Sequence, residues 1–308
     1  MSTIFLGTSE FAAAILARLA HSQAHRPALV VTRPDRPSGR GRRLTSPPVA
    51  RRARELAIAL AQPESVNDPD ARALIAQAGQ AERSDRQTIV VCAFGALIKE
   101  PLLSEHELLN VHPSLLPRWR GAAPVERAIM AGDAQTGVSI MRLTAGLDSG
   151  PVCLAAAEPV KPDDDYGSLA ARLAQLGGDL IVQALQERPP FVEQPEQGIT
   201  YAEKIGPADR LLDPARPAVE LERVVRALHP HVGARVALAN GTLLGVHRAA
   251  LQHATPAGGH SPGVSVREDR LLLDCTPGVL ELLVVQPPGG RAMDASAYLR
   301  GHGSTGFR

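Results

Sequence analysis

The first 160 residues alternate short apolar runs with stretches in which apolar residues recur every three or four positions. The first pattern is typical of buried strands and the second of amphipathic helices, so their alternation predicts βαβ units and a parallel, doubly wound sheet. The predicted strands are Ile4 to Leu6, Leu29 to Thr32, Ile89 to Ala93, Leu108 to Val111 and Val138 to Leu143. The predicted helices are Phe11 to Leu19, Val49 to Ala61, Ala71 to Ala78 and Val125 to Ala131. Ligands bind beyond the carboxyl ends of such strands, so we expect functional residues there.

The second half of the chain changes character after a long predicted helix from Ser168 to Gln186, which closes the first domain. Residues 188–207 contain several prolines and no sustained period, which predicts a linker. A helix over Leu221 to Leu228 and short strands between Gly, Pro and Asn turns then predict a small OB-like β-barrel. Those strands are Ala234 to Leu238, Leu243 to Ala249, Leu271 to Cys275 and Leu280 to Val285. We therefore predict an α/β chain with domains at residues 1–187 and 208–308.

Composition excludes several classes of protein. The 33 Lys and Arg residues nearly balance 32 Asp and Glu residues, and aromatics are only 3% of the chain, so neither a uniformly basic coat nor an aromatic RNA-stacking platform is expected. Cys92, Cys153 and Cys275 are widely spaced, which favours neither disulfides nor a metal site. With no leader pattern and no apolar run of about 18 residues, we expect a cytoplasmic protein without membrane contact.

Positive charge is nevertheless concentrated between Arg33 and Arg54. Eight arginines and a single acid, Asp35, give this stretch a local charge of 8 − 1 = +7, while the whole chain carries +1. Flexible arginine-rich segments bind RNA phosphates in a salt-dependent manner. A merely solvated loop is the alternative.

Asn110 and His112 stand two residues apart at the end of a predicted strand, so their side chains leave on the same face. An amide that holds a developing oxyanion beside an imidazole that moves a proton suits acyl transfer. Asp148, in the glycine-bracketed turn after another predicted strand, could orient the imidazole. A capping Asn, a core His and a turn-forming Asp are the purely structural alternatives.

Two further motifs favour structural roles. No GxSxG elbow surrounds Ser114, which argues against a serine nucleophile. Residues 7–10, Gly-Thr-Ser-Glu, precede a helix but lack both GxGxxG and the Walker pattern, so a tight turn is favoured over a phosphate cradle.

Residues 110–117 (NVHPSLLP), 118–124 (RWRGAAP) and 146–150 (GLDSG) together resemble the formyltransferases that use 10-formyltetrahydrofolate. Residues 34–41 (PDRPSGRG) resemble the basic insertion loop of those members that formylate initiator methionyl-tRNA, a loop that glycinamide ribonucleotide enzymes lack. The likeness continues in residues 200–205 (TYAEKI), at the linker, and near the C-terminus.

This resemblance implies a Rossmann-like catalytic domain, an OB-like domain that helps to hold tRNA, and a folate cosubstrate. We also expect no metal and a monomeric chain. It assigns Asn110, His112 and Asp148 as the catalytic set. The folate-binding residues that it implies are Ser114, Leu115, Leu116, Pro117, Phe94, Gly95, Leu97 and Leu143. The tRNA-binding residues that it implies are Arg36, Arg40, Arg42 and Arg43.

Two other functions remain possible at this point. The formyl acceptor could be a small amine, such as a nucleotide sugar or glycinamide ribonucleotide, although such an acceptor needs neither a basic loop nor a C-terminal barrel. A noncatalytic RNA-binding protein is harder to reconcile with intact Asn110, His112 and Asp148.

Overall fold

A computed structural model describes residues 2–38, 43–80, 87–252 and 261–302. The strands are β1 Ser2–Gly7, β2 Pro27–Val31, β3 Arg36–Ser38, β4 Arg43–Thr45, β5 Ala59–Ala61, β6 Gln87–Cys92, β7 Glu107–His112, β8 Arg120–Gly121, β9 Gln135–Arg142, β10 Val152–Pro159, β11 Tyr201–Ala202, β12 Ala234–Ala237, β13 Leu243–Gln252, β14 Gly263–Arg267, β15 Arg270–Asp274, β16 Val279–Gln286 and β17 Met293–Asp294. The helices are α1 Glu10–Ala20, α2 Pro48–Glu55, α3 Pro69–Gln80, α4 Leu102–Glu105, α5 Pro124–Ala131, α6 Tyr166–Glu187, α7 Ala218–Leu228 and α8 Ala295–His302.

The chain divides into two compact units, of which the first comprises Met1–Gly121, Thr136–Pro159 and Ala170–Tyr201. Its core is a seven-stranded sheet in the order β10-β9-β7-β6-β1-β2-β5. Strands β7, β6, β1, β2 and β5 pair in parallel, as the alternating pattern predicts. Apolar β1 residues such as Ile4 and Leu6 are fully buried, which fits a strand covered on both faces.

The expectation of a wholly parallel sheet was wrong at one strand. The predicted strand from Val138 to Leu143 forms β9, which runs antiparallel to β7, with His112 opposite Ser139. Helix α5 lies between these strands in sequence but packs against α7 in the second unit. The helix between β7 and β9 thus belongs to the second unit, whereas a parallel return requires a crossover that packs within the unit of the sheet.

The predicted helix from Val49 to Ala61 was too long. Helix α2 ends at Glu55, and β5 pairs with β2 at the edge of the sheet. Ala57 turns the chain with a φ of 51°. Alanine fits a helix and an edge strand equally well, so periodicity alone misplaced this boundary. Strand β10 and helices α4 and α8 were also missed.

Helix α6 lies close to its predicted position and packs tightly on the sheet. A Cβ atom on Gly177 would come within 2.9 Å of Val111 Cγ1 and 3.4 Å of Val138 Cγ1. The absence of a side chain at Gly177 therefore lets the helix approach β7 and β9 directly.

The second unit comprises Ala122–Gln135, Val160–Leu169 and Ala202–Arg308. A curled antiparallel sheet, ordered β12-β13-β16-β15-β14 with β17 on β16, encloses a core with α7. Leu221 and Leu228 of α7 and Leu244 and Leu280 of the sheet are fully buried there. The predicted fold class, an α/β chain with a Rossmann-like parallel sheet domain followed by a small OB-like β domain, is confirmed, with the antiparallel strand β9 as a departure in the first sheet. Within the described ranges, no helix is long and apolar enough to cross a membrane.

Candidate active site

The carboxyl end of β7 carries Asn110 and His112, which are 9% and 4% exposed. Strand β7 lies between β6 and β9, so hydrogen bonds on both sides fix its backbone. A rigid strand holds side chains more precisely than a loop does. The two side chains are thus fixed at the edge of the sheet where ligands bind in doubly wound folds.

Asp148 meets both of these side chains. Its Oδ1 lies 3.4 Å from Asn110 Nδ2, which donates to it, and its Oδ2 lies 3.6 Å from His112 Nδ1. The backbone N–H of Gly121 donates to the same Oδ2 at 2.8 Å. The structure therefore brings together the three polar side chains that the sequence singled out from separate segments.

The tautomer of His112 follows from its other ring nitrogen. His112 Nε2 lies 2.8 Å from the carbonyl oxygen of Trp119. A carbonyl can only accept, so Nε2 carries a proton and donates it. In the neutral imidazole Nδ1, which faces Asp148, is consequently the unprotonated nitrogen.

The turn that carries Asp148 has a demanding backbone geometry. Asp148 adopts a φ of 43°, a left-handed conformation that costs a non-glycine residue on the order of 1 kcal/mol or more. A Cβ on the neighbouring Gly150 would lie 2.0 Å from the carbonyl oxygen of Arg142, so only glycine fits there. The glycines around Asp148 thus let the turn close tightly against β9.

The segment after β7, expected to bind folate, is a compact loop. Ser114 is fully buried, and its hydroxyl donates to the Arg118 carbonyl at 2.6 Å. Ser139 accepts a hydrogen bond from the Leu116 N–H and donates one to the Ser114 carbonyl. Ser114 therefore stabilises the loop from within, while the side chains of Leu115, Leu116 and Pro117 are partly exposed to solvent.

The other residues expected at the folate site lie at neighbouring strand ends. Phe94 is buried, Gly95 has open space around it, and Leu97 is 69% exposed. Leu143 is partly buried against the same apolar cluster as Phe94. Sequence reasoning missed Asn67, whose side chain binds the Leu97 carbonyl and the Lys99 N–H and so fixes this loop.

The turn at residues 7–10 is held by hydrogen bonds within the protein. Ser9 caps α1 by accepting a hydrogen bond from the Ala12 N–H, and Thr8 donates to the Phe94 carbonyl. Both hydroxyls are engaged within the protein.

The basic stretch contains a two-stranded ribbon, β3 and β4, that the apolar pattern gave no sign of. Asp35 fixes the chain just before this ribbon, because its carboxylate accepts hydrogen bonds from Ser46 Oγ at 2.6 Å and from Gln62 Nε2 at 2.7 Å. These two hydrogen bonds lower the pKa of Asp35. Arg36 pairs with Glu64, and Arg43 is exposed. The predicted tRNA contacts Arg40 and Arg42 lie outside the described residues.

Three residues that contact His112 or Asp148 were not singled out from the sequence. Trp119 and Gly121 act through backbone groups, which leave no side-chain signal, and Gln194 lies in the stretch predicted to be a linker. No group of three or more His, Cys, Asp or Glu side chains suited to hold a metal ion occurs in the described ranges.

Both parts of the chain match protein families. Residues 1–185 match the formyl transferase family, and residues 204–303 match the formyl transferase C-terminal domain. Methionyl-tRNA formyltransferase of Dechloromonas aromatica is 39% identical over 98% of this chain and 96% of its own. The enzyme of that name from Burkholderia multivorans is 42% identical over 98% of this chain and 94% of its own.

Solved structures share the fold at lower identity. The N-formyltransferase from Helicobacter canadensis, in complex with folinic acid and dTDP-3-aminofucose, matches 92% of this chain and 98% of its own with a TM-score of 0.65 and 14% identity. HypX from Aquifex aeolicus, in complex with tetrahydrofolic acid, has a TM-score of 0.63 and 16% identity. This match covers 97% of the present chain, which spans about half of HypX (47%).

Proposed function

The chain belongs to the formyltransferase family, and from this premise we propose that it transfers the formyl group of 10-formyltetrahydrofolate to the α-amine of methionyl-initiator tRNA for translation initiation. The observation that carries the proposal is the likeness of 39–42% identity, over 98% of the chain, to enzymes named for that reaction. It spans both units, including the C-terminal domain.

The reaction needs no enzyme nucleophile. The α-amine attacks the formyl carbon to form a new C–N bond, and the tetrahedral intermediate collapses as the bond from that carbon to N10 of the folate breaks. One proton moves, in net terms, from the attacking nitrogen to N10. A free α-amino group titrates near about 7.7 to 8.0, so a useful neutral fraction exists at neutral pH.

Asn110 stabilises the oxyanion in this mechanism. One N–H of its amide points to Asp148, and the same nitrogen carries a second N–H that can donate to the formyl oxygen. Because β7 holds the residue rigidly, little reorganisation is needed as charge develops on that oxygen.

His112 serves the proton transfer through Nδ1. Its Nε2–H is committed to the Trp119 carbonyl, so Nδ1 is the nitrogen that can accept and return a proton. When Nδ1 is protonated, the adjacent carboxylate of Asp148 stabilises the imidazolium.

The basic ribbon and the arginines around it bind the tRNA in this proposal. Arg43 lies exposed on β4, next to Arg40 and Arg42 in sequence. Guanidinium groups match phosphates in bidentate geometry. The charge of +7 on residues 33–54 should therefore make the KM for tRNA depend strongly on salt, while the KM for folate should not.

The test is a formylation assay with labelled 10-formyltetrahydrofolate and three acceptors: methionyl-initiator tRNA, methionyl-elongator tRNA and a dTDP-amino sugar. We expect label only on the initiator tRNA. Label on the amino sugar alone would identify an enzyme for small acceptors, and no label on any acceptor would reject formyl transfer as proposed. The His112→Ala variant supplies the background.

We further propose that the reaction takes place in the cytoplasm. We also propose that the chain acts as a monomer, and light scattering with and without tRNA tests this oligomeric state.

A further inference from the structure

Gln194 joins the Asp148 turn to a buried arginine. Its Nε2 donates to the carbonyl oxygens of Asp148, at 2.9 Å, and of Gly150, at 2.7 Å. These carbonyls flank the turn on both sides of Ser149. The amide therefore fixes the peptide planes from which the Asp148 carboxylate projects.

Arg120 determines which way this amide points. Its side chain donates from Nε at 3.0 Å and from Nη2 at 2.8 Å to Gln194 Oε1, and the residue is only 8% exposed. A flipped amide would place an NH2 group against the guanidinium. The arginine thus forces the NH2 group of Gln194 toward the turn.

The backbone on each side of Arg120 holds the catalytic set as well. Trp119 accepts from His112 Nε2, and Gly121 donates to Asp148 Oδ2. Thr200 in turn accepts from the Trp119 N–H through its hydroxyl and from the Arg120 N–H through its carbonyl. Residues 194–200 therefore brace the segment that contacts both His112 and Asp148.

We propose that Arg120 and Gln194 are positioning residues: a guanidinium–amide pair that sets the Asp148 turn against Asn110 and His112. This inference rests on the proposed function and adds residues whose side chains act through Asp148. A displacement of about 1 Å in such a site can cost on the order of 100-fold in rate.

Gln194→Glu is the informative variant. A carboxylate still accepts both N–H groups of Arg120, in a stronger charge-assisted bond, but it cannot donate to the two carbonyls. We expect a thermal midpoint at or above that of Gln194→Ala, because the contact with Arg120 is kept, together with a kcat about 10- to 100-fold below that of the wild type and nearly unchanged KM values. Gln194→Ala should lower kcat similarly. Gln183→Ala is the matched control, because that glutamine on α6 is exposed and donates to the neighbouring Glu187.

Coupling to Asp148 separates positioning from a general structural effect. In an Asp148→Ala background, Gln194→Glu should cause little further loss of kcat, because the carboxylate it positions is gone. Fully additive losses, or a wild-type kcat in Gln194→Glu, would overturn the inference.

A readout independent of activity comes from Trp119, the single tryptophan of the chain. The Trp119 ring lies 4.4 Å, centroid to guanidinium, from Arg118. Because Trp119 belongs to the segment that Thr200 braces, the fluorescence of Trp119 reports on the order of that segment. Gln194→Ala should increase acrylamide quenching of Trp119, and Gln183→Ala should not. The two readouts fail separately. If the wild type formylates none of the acceptors, the proposed function fails. If acrylamide quenching of Trp119 is unchanged in Gln194→Ala, the positioning role fails, whatever the activity.

Discussion

At the residue scale, the arrangement of Asn110, His112 and Asp148 assigns a different task to each polar atom. One oxygen of Asp148 accepts from the amide of Asn110, and the other faces the imidazole of His112. The carboxylate thereby orients both the proposed oxyanion donor and the proposed proton carrier. Losing either partner should leave folate binding largely intact, because the apolar loops near Leu97 and Leu116 present separate surface.

Asn110→Ala should lower kcat by about 100- to 1000-fold while the Kd for folate changes little, because the removed donor acts chiefly on the tetrahedral oxyanion. Steady-state kinetics and folate titration measure the two effects separately. Asn240→Ala is the control, since Asn240 lies in an exposed turn where its side chain accepts from the Thr242 N–H. An unchanged kcat in Asn110→Ala would contradict its role.

At the scale of elements, helix α1 begins at a side-chain cap, Ser9. Ser9→Ala removes the hydroxyl that accepts from the Ala12 N–H, so the free energy of unfolding should fall by about 1 kcal/mol. Both KM values should stay the same. Ser9→Asp should restore stability, because aspartate caps helices as well as serine does. Denaturant unfolding checks the first effect, and a raised KM for either substrate would indicate a ligand contact instead.

The β3–β4 ribbon should depend on its anchor. Asp35→Ala removes the acceptor that Ser46 and Gln62 share, so the ribbon loses its fixed base. We expect a severalfold higher KM for methionyl-tRNA and an unchanged KM for folate, because only the large substrate should reach the ribbon. Asp70→Ala, an exposed acid in the first turn of α3, is the matched control. Equal effects on both KM values would argue against a tRNA-specific ribbon.

At the scale of the whole molecule, the free thiols distinguish the two units. Cys92 lies in the core of the first unit, where burial raises its pKa far above the usual range. Cys275 lies in the second, where burial and then the charge of Asp274 raise its pKa to about 12. Burial also raises the pKa of Cys153.

Because the thiolate is the reactive form, the native protein should react slowly with a disulfide reagent at about pH 8, and fast once unfolded. Variants that retain only Cys92 or only Cys275 then report the opening of the first or the second unit during denaturation. The Cys275 rate should continue to rise with pH well above about 8.5, where an ordinary thiol levels off. A rate equal to that of a free thiol in the folded state would show that the unit opens readily.

Local patterns in the sequence specified much of this architecture. Apolar spacing predicts the main elements, because the burial of one face depends on residues a few positions apart. These elements are strands β1, β2, β6 and β7, helix α6, and helix α7 with the main strands of the second unit. Residues 57–61 could not be placed this way, since alanine satisfies both periods. The pairing of Asn110 with His112 was accessible for the same local reason: alternate residues of a strand share a face.

The sequence by itself determined the fold class, the strand that carries Asn110 and His112, and, through its resemblance to known formyltransferases, the expected chemistry. Only the tertiary structure decided that β9 returns antiparallel, that the Asp148 carboxylate bridges the two β7 side chains, and that Arg120 and Gln194 brace its turn. These contacts join residues 27 to 74 positions apart. Such long-range contacts depend on how the whole chain folds, and the spacing of residues within one element does not predict them.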